Sequence, residues 1–279
     1  MIIWLASYPK SGNTWLRYFL TSLIFTRDGE ANLKSMGSIK SFPRPDQFIN
    51  LVNDVSNIKE ISQNWLKSQT VINLDRKIKF MKTHNLLCSL ENNSFTNLEN
   101  TIGTIYIVRD PRNVVTSIKH HFQYKTIEEA KDFIINEKTI FGKKDSGQNP
   151  VPTIIGSWKS HYNSWKIMKK NFLLIKYEDL VLRPNREYKK IKEYVEKILN
   201  IKINEEKLKS SIQASSFENL KKKEEKEGFI ESIKDSKTGN MKKFFNLGPQ
   251  NNWENLLNPK IKEEIEFKFQ REMKELDYI

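Results

Sequence analysis

The chain is poor in cysteine: Cys88 is the only one among 279 residues. Neither an intrachain disulfide nor a cysteine-based zinc site can form, and a reducing compartment suits such a chain. Long apolar runs are missing too. The most hydrophobic N-terminal window is interrupted by Lys10 and Arg17, and the charged region, apolar run and small-residue cleavage site of a secretory signal are absent. A soluble, cytoplasmic protein with no membrane span is therefore expected. Glycine and proline are sparse, at 10 and 9. With no Gly/Ser linker and no internal repeat, a single domain over 1–279 is expected. No His/Cys/Asp/Glu grouping has metal-ligand spacing, so no metal is expected. Acidic charge is the scarcer sign: 34 Asp and Glu face 47 Lys and Arg, a formal net charge of +13. That balance points to an anionic partner such as a nucleotide, an acidic glycan, a nucleic acid or a membrane surface. Abundant Lys, Asn and Ile also fit a compositional bias spread over the whole surface.

What the chain does contain is short apolar runs alternating with longer amphipathic ones. Ile2 to Ala6, Ile78 to Met81, Thr104 to Val108 and Phe172 to Ile175 are brief, apolar and rich in β-branched or aromatic residues, and read as buried strands. Trp15, Leu16, Phe19, Leu20 and Leu23 recur at helical spacing, as do Val114, Val115, Ile118 and Phe122. The alternation predicts an α/β fold of three layers, with a mostly parallel central sheet flanked by helices. Ligands of such sheets bind beyond the carboxyl ends of the strands.

Three strand ends carry the chemistry. In "IIWLASYPKSGNTWLRYFL", residues 2 to 20, a strand runs through a Gly-containing turn into a helix starting near Asn13. That geometry aims backbone N–H groups and the positive end of the helix dipole at one point, where an anion fits. Lys10 adds charge, Ser11 and Thr14 add hydroxyls, and Gly12 lets the backbone approach. A capped helix with a solvated Lys10 is the plainer alternative. The Walker pattern G-x-x-x-x-G-K-[ST] is not met, because the lysine precedes the glycine. In "IKFMKTHN", Lys82 and His84 project to the same side of an extended segment, a cation beside a titratable base. His120, His121 and His161, the other three histidines, lie in segments read as helical. In "IYIVRDPRNVVTSIKHHF", Arg109 ends the strand, Asp110 and Pro111 form an N-cap and first turn, and Ser117 lies on the polar side of the helix. Arg109 and Ser117 can hold one phosphate between them.

These residues give the chain a resemblance to the sulfotransferases that use 3′-phosphoadenosine 5′-phosphosulfate (PAPS). "SYPKSGNTW" resembles the family's 5′-phosphosulfate loop, T-Y-P-K-S-G-T-T-W, and "KTH" the strand bearing its catalytic histidine. "VRDPRNVVTSIKHHF" resembles the 3′-phosphate segment. "GSWKSHYNSW", "IKYEDL" and "SSFENLK" resemble three further motifs in the family's order, so the likeness runs from residue 4 to residue 253.

The resemblance implies a P-loop-like nucleotide-binding fold and sulfuryl transfer from PAPS, with PAP as product and no metal. Ser11, Gly12, Asn13 and Thr14 would wrap the 5′-phosphosulfate, and Lys10 would neutralise the bridging oxygen. Trp15, Tyr177 and Phe217, with Ser216 in the same segment, would meet the adenine side, although Trp15 also reads as a core anchor of its helix. Arg109 and Ser117 would hold the 3′-phosphate. His84 would take the acceptor's proton and Lys82 would steady the transferring group. A sulfuryl group carries less negative charge than a γ-phosphoryl, so fixed lysines can take the place of magnesium.

The chain also departs from the family. Where members carry R-K-G-x-x-G-D-W, this sequence aligned on Trp253 reads Asn246, Leu247, Gly248, Pro249, Gln250, Asn251, Asn252. Two phosphate cations are lost; either Arg109 and Ser117 hold the 3′-phosphate by themselves, or Lys242 and Lys243 fold over in place of the lost pair, the preferred reading, leaving Gly248 to donate its backbone N–H. The dimer segment K-x-x-x-T-V-x-x-x-E keeps only Glu263, which leaves the oligomeric state open. Residues 27 to 75, 85 to 100 and 123 to 155 are expected to supply the acceptor pocket, for a small molecule, a lipid or a glycan. "FGKKDSGQNPVP" reads as a mobile loop, and residues 219 to 243 as a solvated helix with a flexible lid rather than a polyanion site. Two other functions remain to be tested: a magnesium-dependent P-loop kinase, and a non-catalytic polyanion-binding protein. No nucleic acid is expected.

Overall fold

The computed structural model describes residues 1–142, 150–235 and 238–279. Five strands form the main sheet: β1 (Ile2–Ala6), β2 (Lys40–Ser41), β3 (Lys79–Thr83), β4 (Thr101–Val108) and β5 (Phe172–Lys176), in the order β2-β3-β1-β4-β5. β2 with β3, β3 with β1 and β1 with β4 are parallel pairs. β1, at the centre of the order, is buried along its whole length, as expected of a parallel strand with neighbours on both edges. The α/β class with a parallel sheet, expected from the alternation of apolar runs, is therefore observed.

Two differences from the sequence reading have physical causes. The short edge strand β2 carries no apolar signature, being Lys-Ser, and is held by β3 through the register Lys40↔Met81 and Ser41↔Lys82. β3 runs on to Thr83, so Lys82 lies inside the strand and His84 just beyond it.

The described chain packs as two compact units. Met1–Tyr8, Ile39–Ile107 and Ile135–Leu174 form the first; Pro9–Ser38, Val108–Ile134 and Ile175–Ile279 form the second. The first holds the body of the sheet. In its core the Trp4 ring meets Phe42 at 5.6 Å, Phe95 at 5.4 Å and Trp165 at 6.3 Å, while Trp4 Nε1 donates to Thr101 Oγ1 at 2.9 Å. Burying an aromatic of this size is worth roughly 1.5–3 kcal/mol when its polar atom is also satisfied.

The second unit contains α1 (Asn13–Phe25), α2 (Pro111–Phe122) and α4 (Phe217–Glu227), whereas α3 (Trp158–Trp165) belongs to the first. Asp110 caps α2 by accepting from Arg112 N, with Pro111 in the first turn, as its sequence predicts. A core of Tyr18, Leu33, Met36, Leu220, Phe229 and Phe245 has Trp15, Phe217 and Phe244 packed against it. Within 219–243 the helix is not solvated all round. Leu220 is buried, and the Glu224 carboxylate accepts from Phe244 N at 2.6 Å, Phe245 N at 2.9 Å and Ser232 Oγ at 2.6 Å. Most of the loop reading at "FGKKDSGQNPVP" falls on 143–149, and part of the lid reading on 236–237, outside the described residues.

Candidate functional site

In the second unit the turn before α1 has two left-handed residues, Lys10 at φ 66° and Gly12 at φ 101°. Gly12 is the N-cap and has no side chain to occupy the first-turn N–H groups, the arrangement an anion needs. Ser11 is fully buried, and its Oγ has no hydrogen-bond partner among the described residues. Leaving a buried hydroxyl unsatisfied costs roughly 1–3 kcal/mol, a cost that a bound group able to pair with this atom would remove. Lys10 Nζ stands 4.1 Å over the Phe244 ring.

Arg109 gathers the second part of the site. Its Nη1 donates to Lys10 O at 3.3 Å and to Ser117 Oγ at 3.2 Å, and its Nη2 to Gly248 O at 3.3 Å. The guanidinium lies 4.1 Å over the Tyr177 ring, a favourable stacking for a planar cation. Tyr177 in turn meets Trp15 edge-on at 5.4 Å, and Trp15 Nε1 donates to Ser215 O at 2.5 Å. Burial raises the Tyr177 phenol pKa, with Arg109 acting against the rise and Glu178 adding to it. Gly248 sits at φ 52°, and a Cβ there would come within 2.1 Å of the Phe217 ring. The glycine is required by both its backbone angle and this close approach.

Ser216, expected among the donor residues, uses its Oγ to cap α4 by accepting from Asn219 N at 3.3 Å. Lys242 pairs with Asp235 at 3.2 Å and Lys243 with Glu225 at 2.5 Å. Both lysines expected to replace the missing cations are thus engaged by carboxylates.

Two residues of this unit were not read as site residues from the sequence, and a third, His120, was set aside there as a helical histidine. Glu231 accepts from Thr14 Oγ1 at 2.8 Å and from Arg17 Nη2 at 2.6 Å, which places a carboxylate on the turn's own hydroxyl. Asn251 bonds to Asn113 O and Ser117 Oγ. His120, one turn beyond Ser117, has its pKa lowered by burial first and then by Lys242 and Lys10. Nothing in the local sequence of Glu231 or Asn251 signals these contacts; for His120 the spacing from Ser117 on one helix was available.

In the first unit, His84 Nδ1 lies 2.8 Å from Ser7 O and 3.2 Å from Ser7 Oγ. A carbonyl only accepts, so the bond to it requires Nδ1 to carry the hydrogen, and in the neutral ring the lone pair is then on Nε2. That is the tautomer of a base acting through Nε2. The backbone around His84 is fixed as well. His161 Nε2 bonds to His84 O at 3.1 Å, and Trp165 Nε1 donates to Asn85 O at 3.0 Å. His161 Nδ1 accepts from Tyr106 Oη at 2.8 Å. Fully buried, His161 has its pKa pushed down to about 3, so it is neutral and serves as a strut. Lys82 is half-buried in β3.

Among the described residues no group of three or more His, Cys, Asp or Glu side chains could hold a metal, and no helix is long and apolar enough to cross a membrane.

The sulfotransferase domain profile matches residues 2–277. Sulfotransferase 1B1 of Canis lupus familiaris is 27% identical over 223 residues, which cover 78% of this chain and 65% of that protein. Flavonol 3-sulfotransferase of Flaveria bidentis is 24% identical over 268 residues, covering 95% of this chain and 79% of that one. Mouse sulfotransferase SULT7A1, solved complexed with PAP, shares the fold with a TM-score of 0.63 at 21% identity, over 98% of this chain and 84% of that one.

Proposed function

The chain belongs to the sulfotransferase domain family, and on that premise we propose that it moves a sulfuryl group from PAPS to a hydroxyl or amine of a small-molecule acceptor. The observation that carries the donor assignment is Arg109. One guanidinium joins the Lys10 turn, Ser117 of α2 and Gly248 while lying on Tyr177, so four of the segments singled out in the sequence meet at a single cation. The orphaned Ser11 hydroxyl in the same unit fits a phosphosulfate oxygen.

In this reading the turn from Lys10 to Thr14 holds the 5′ end of the donor, Arg109 and Ser117 the 3′-phosphate, and Trp15, Tyr177 and Phe217 the adenine side. Bound PAPS supplies an activated sulfuryl group and a PAP leaving group. His84 Nε2 takes the proton from the acceptor's O–H or N–H as that atom bonds to sulfur and the sulfur–bridging-oxygen bond breaks. Lys10 offsets the charge left on the bridging oxygen, and Lys82 steadies the transferring group. Donor binding at Thr14 exchanges the Glu231 carboxylate for a donor oxygen.

The flavonol relative's name supports a small hydroxylated acceptor over a lipid or glycan, and the lone Cys88 is in keeping with a cytoplasmic setting. We read the chain as one working sulfotransferase domain. Calorimetric titration of PAP, PAPS and ATP, each in EDTA and in excess magnesium, tests the donor assignment. PAP is expected to bind without metal and ATP far more weakly; preference for magnesium-ATP would reverse the assignment.

A further inference from the structure

We propose that Asn251 is a positioning residue for the 3′-phosphate end of the donor, acting through Ser117; the inference rests on the donor reading above. Asn251 is buried, and its amide has one allowed orientation. Nδ2 donates to Asn113 O at 2.8 Å, an atom that only accepts, so nitrogen and oxygen cannot be exchanged. The second hydrogen on Nδ2 goes to Ser117 Oγ at 3.2 Å, and Oδ1 accepts from Thr116 Oγ1 at 2.8 Å.

Ser117 Oγ therefore accepts twice, once from Asn251 and once from Arg109 Nη1 at 3.2 Å. A serine hydroxyl has two lone pairs and one proton. With both lone pairs engaged, only the O–H remains, and among the described residues it donates to no acceptor. Asn251 thus turns an ambivalent hydroxyl into an obligate donor, the polarity that a phosphate oxygen requires.

The position is informative in itself. Where the family pattern has its second glycine, with no side chain, this chain has the Asn251 amide, in the same stretch that has lost two cations at Asn246 and Leu247. The amide also ties the segment after Gly248 to α2, alongside the Gly248 O contact with Arg109 Nη2. A directed hydroxyl and a fixed segment offset part of what the missing charges supplied.

The test is calorimetric titration of PAP and of adenosine 5′-phosphate into the wild type, Ser117→Ala, Asn251→Ala and the double variant. Asn251→Ala should weaken PAP by about tenfold and leave adenosine 5′-phosphate unchanged. In the Ser117→Ala background the same substitution should add little, because the hydroxyl it directs is gone. Asn251→Asp matches the side chain in size but loses both N–H donors; it should weaken PAP at least as much, and it carries the test if the alanine variant does not fold. Equal loss of both nucleotides, no loss, or full additivity with Ser117→Ala overturns the proposal. Failure of the donor reading shows in a different protein: a wild type that does not prefer PAP to adenosine 5′-phosphate.

Discussion

Lowering the pH from 7 to 5 should destabilise this protein through His161. The imidazole is fully buried between Tyr106 Oη and His84 O, and burial holds its pKa near 3 against an ordinary value of 6.5. Between those values the unfolded chain binds a proton that the folded chain refuses, so stability is lost as the pH falls through the window. Well inside the window each pH unit costs about 1.4 kcal/mol, and integration from pH 7 to pH 5 gives about 1.9 kcal/mol. The comparison protein is His161→Gln, which cannot titrate yet offers a donor toward His84 O. Urea unfolding followed by tryptophan fluorescence suits the measurement, because Trp4 and Trp165 are buried in the same unit. The stability of the wild type relative to His161→Gln should fall by about 1.9 kcal/mol over this range. A difference that stays constant with pH would refute the neutral, buried strut.

Lys10→Ala should lower turnover by roughly 10²-fold or more with a smaller change in PAP affinity; if affinity alone falls, Lys10 binds the donor without stabilising the leaving group. Gly248→Ala forces a Cβ to within 2.1 Å of the Phe217 ring, which should cost roughly 1–3 kcal/mol of stability and weaken PAP. An unchanged melting temperature and PAP affinity would show that the segment adjusts freely. Burial raises the Cys88 thiol from 9.0 to about 11. Its reaction with a disulfide reagent near neutral pH should therefore be roughly tenfold or more slower in the native protein than in urea, the lower thiolate population being partly offset by its greater nucleophilicity, and equal rates would contradict that burial.

The parallel sheet was legible because strands buried on both faces write themselves as apolar runs; the turn after β1 was legible as a strand–helix junction, while its lysine, glycine and hydroxyls fit a capped helix as well as an anion until the family motif is added. Arg109 with Ser117 was legible as a strand-end cation and a hydroxyl on the helix that follows, read together with the other two strand ends and the family motif. The left-handed Lys10 was not, since that conformation normally announces itself as glycine. Glu231 and Asn251 reach Thr14 and Ser117 across 217 and 134 residues of chain, and local pattern carries no trace of such pairings. Lys242 pairs with Asp235 across a short hairpin and Lys243 with Glu225 on α4, partners that nearness to the lost cations does not reveal. His161 was read as a helical histidine, correctly; its role as a strut depends on burial, which helix membership does not reveal. Membership of the sulfotransferase family sets aside the kinase and polyanion-module alternatives.

The central claim is transfer of a sulfuryl group with His84 as the base. Its most direct measurement is mass spectrometry of reactions holding PAPS, EDTA and a panel of phenols, alcohols and amines, run with the wild type and with His84→Ala at matched, calorimetrically verified PAP occupancy. Sulfated product and PAP should form together with the wild type and slow by roughly 10²- to 10⁴-fold in the variant. Sulfated product formed equally fast by His84→Ala, or none formed by a wild type saturated with PAPS across the panel, would contradict the account.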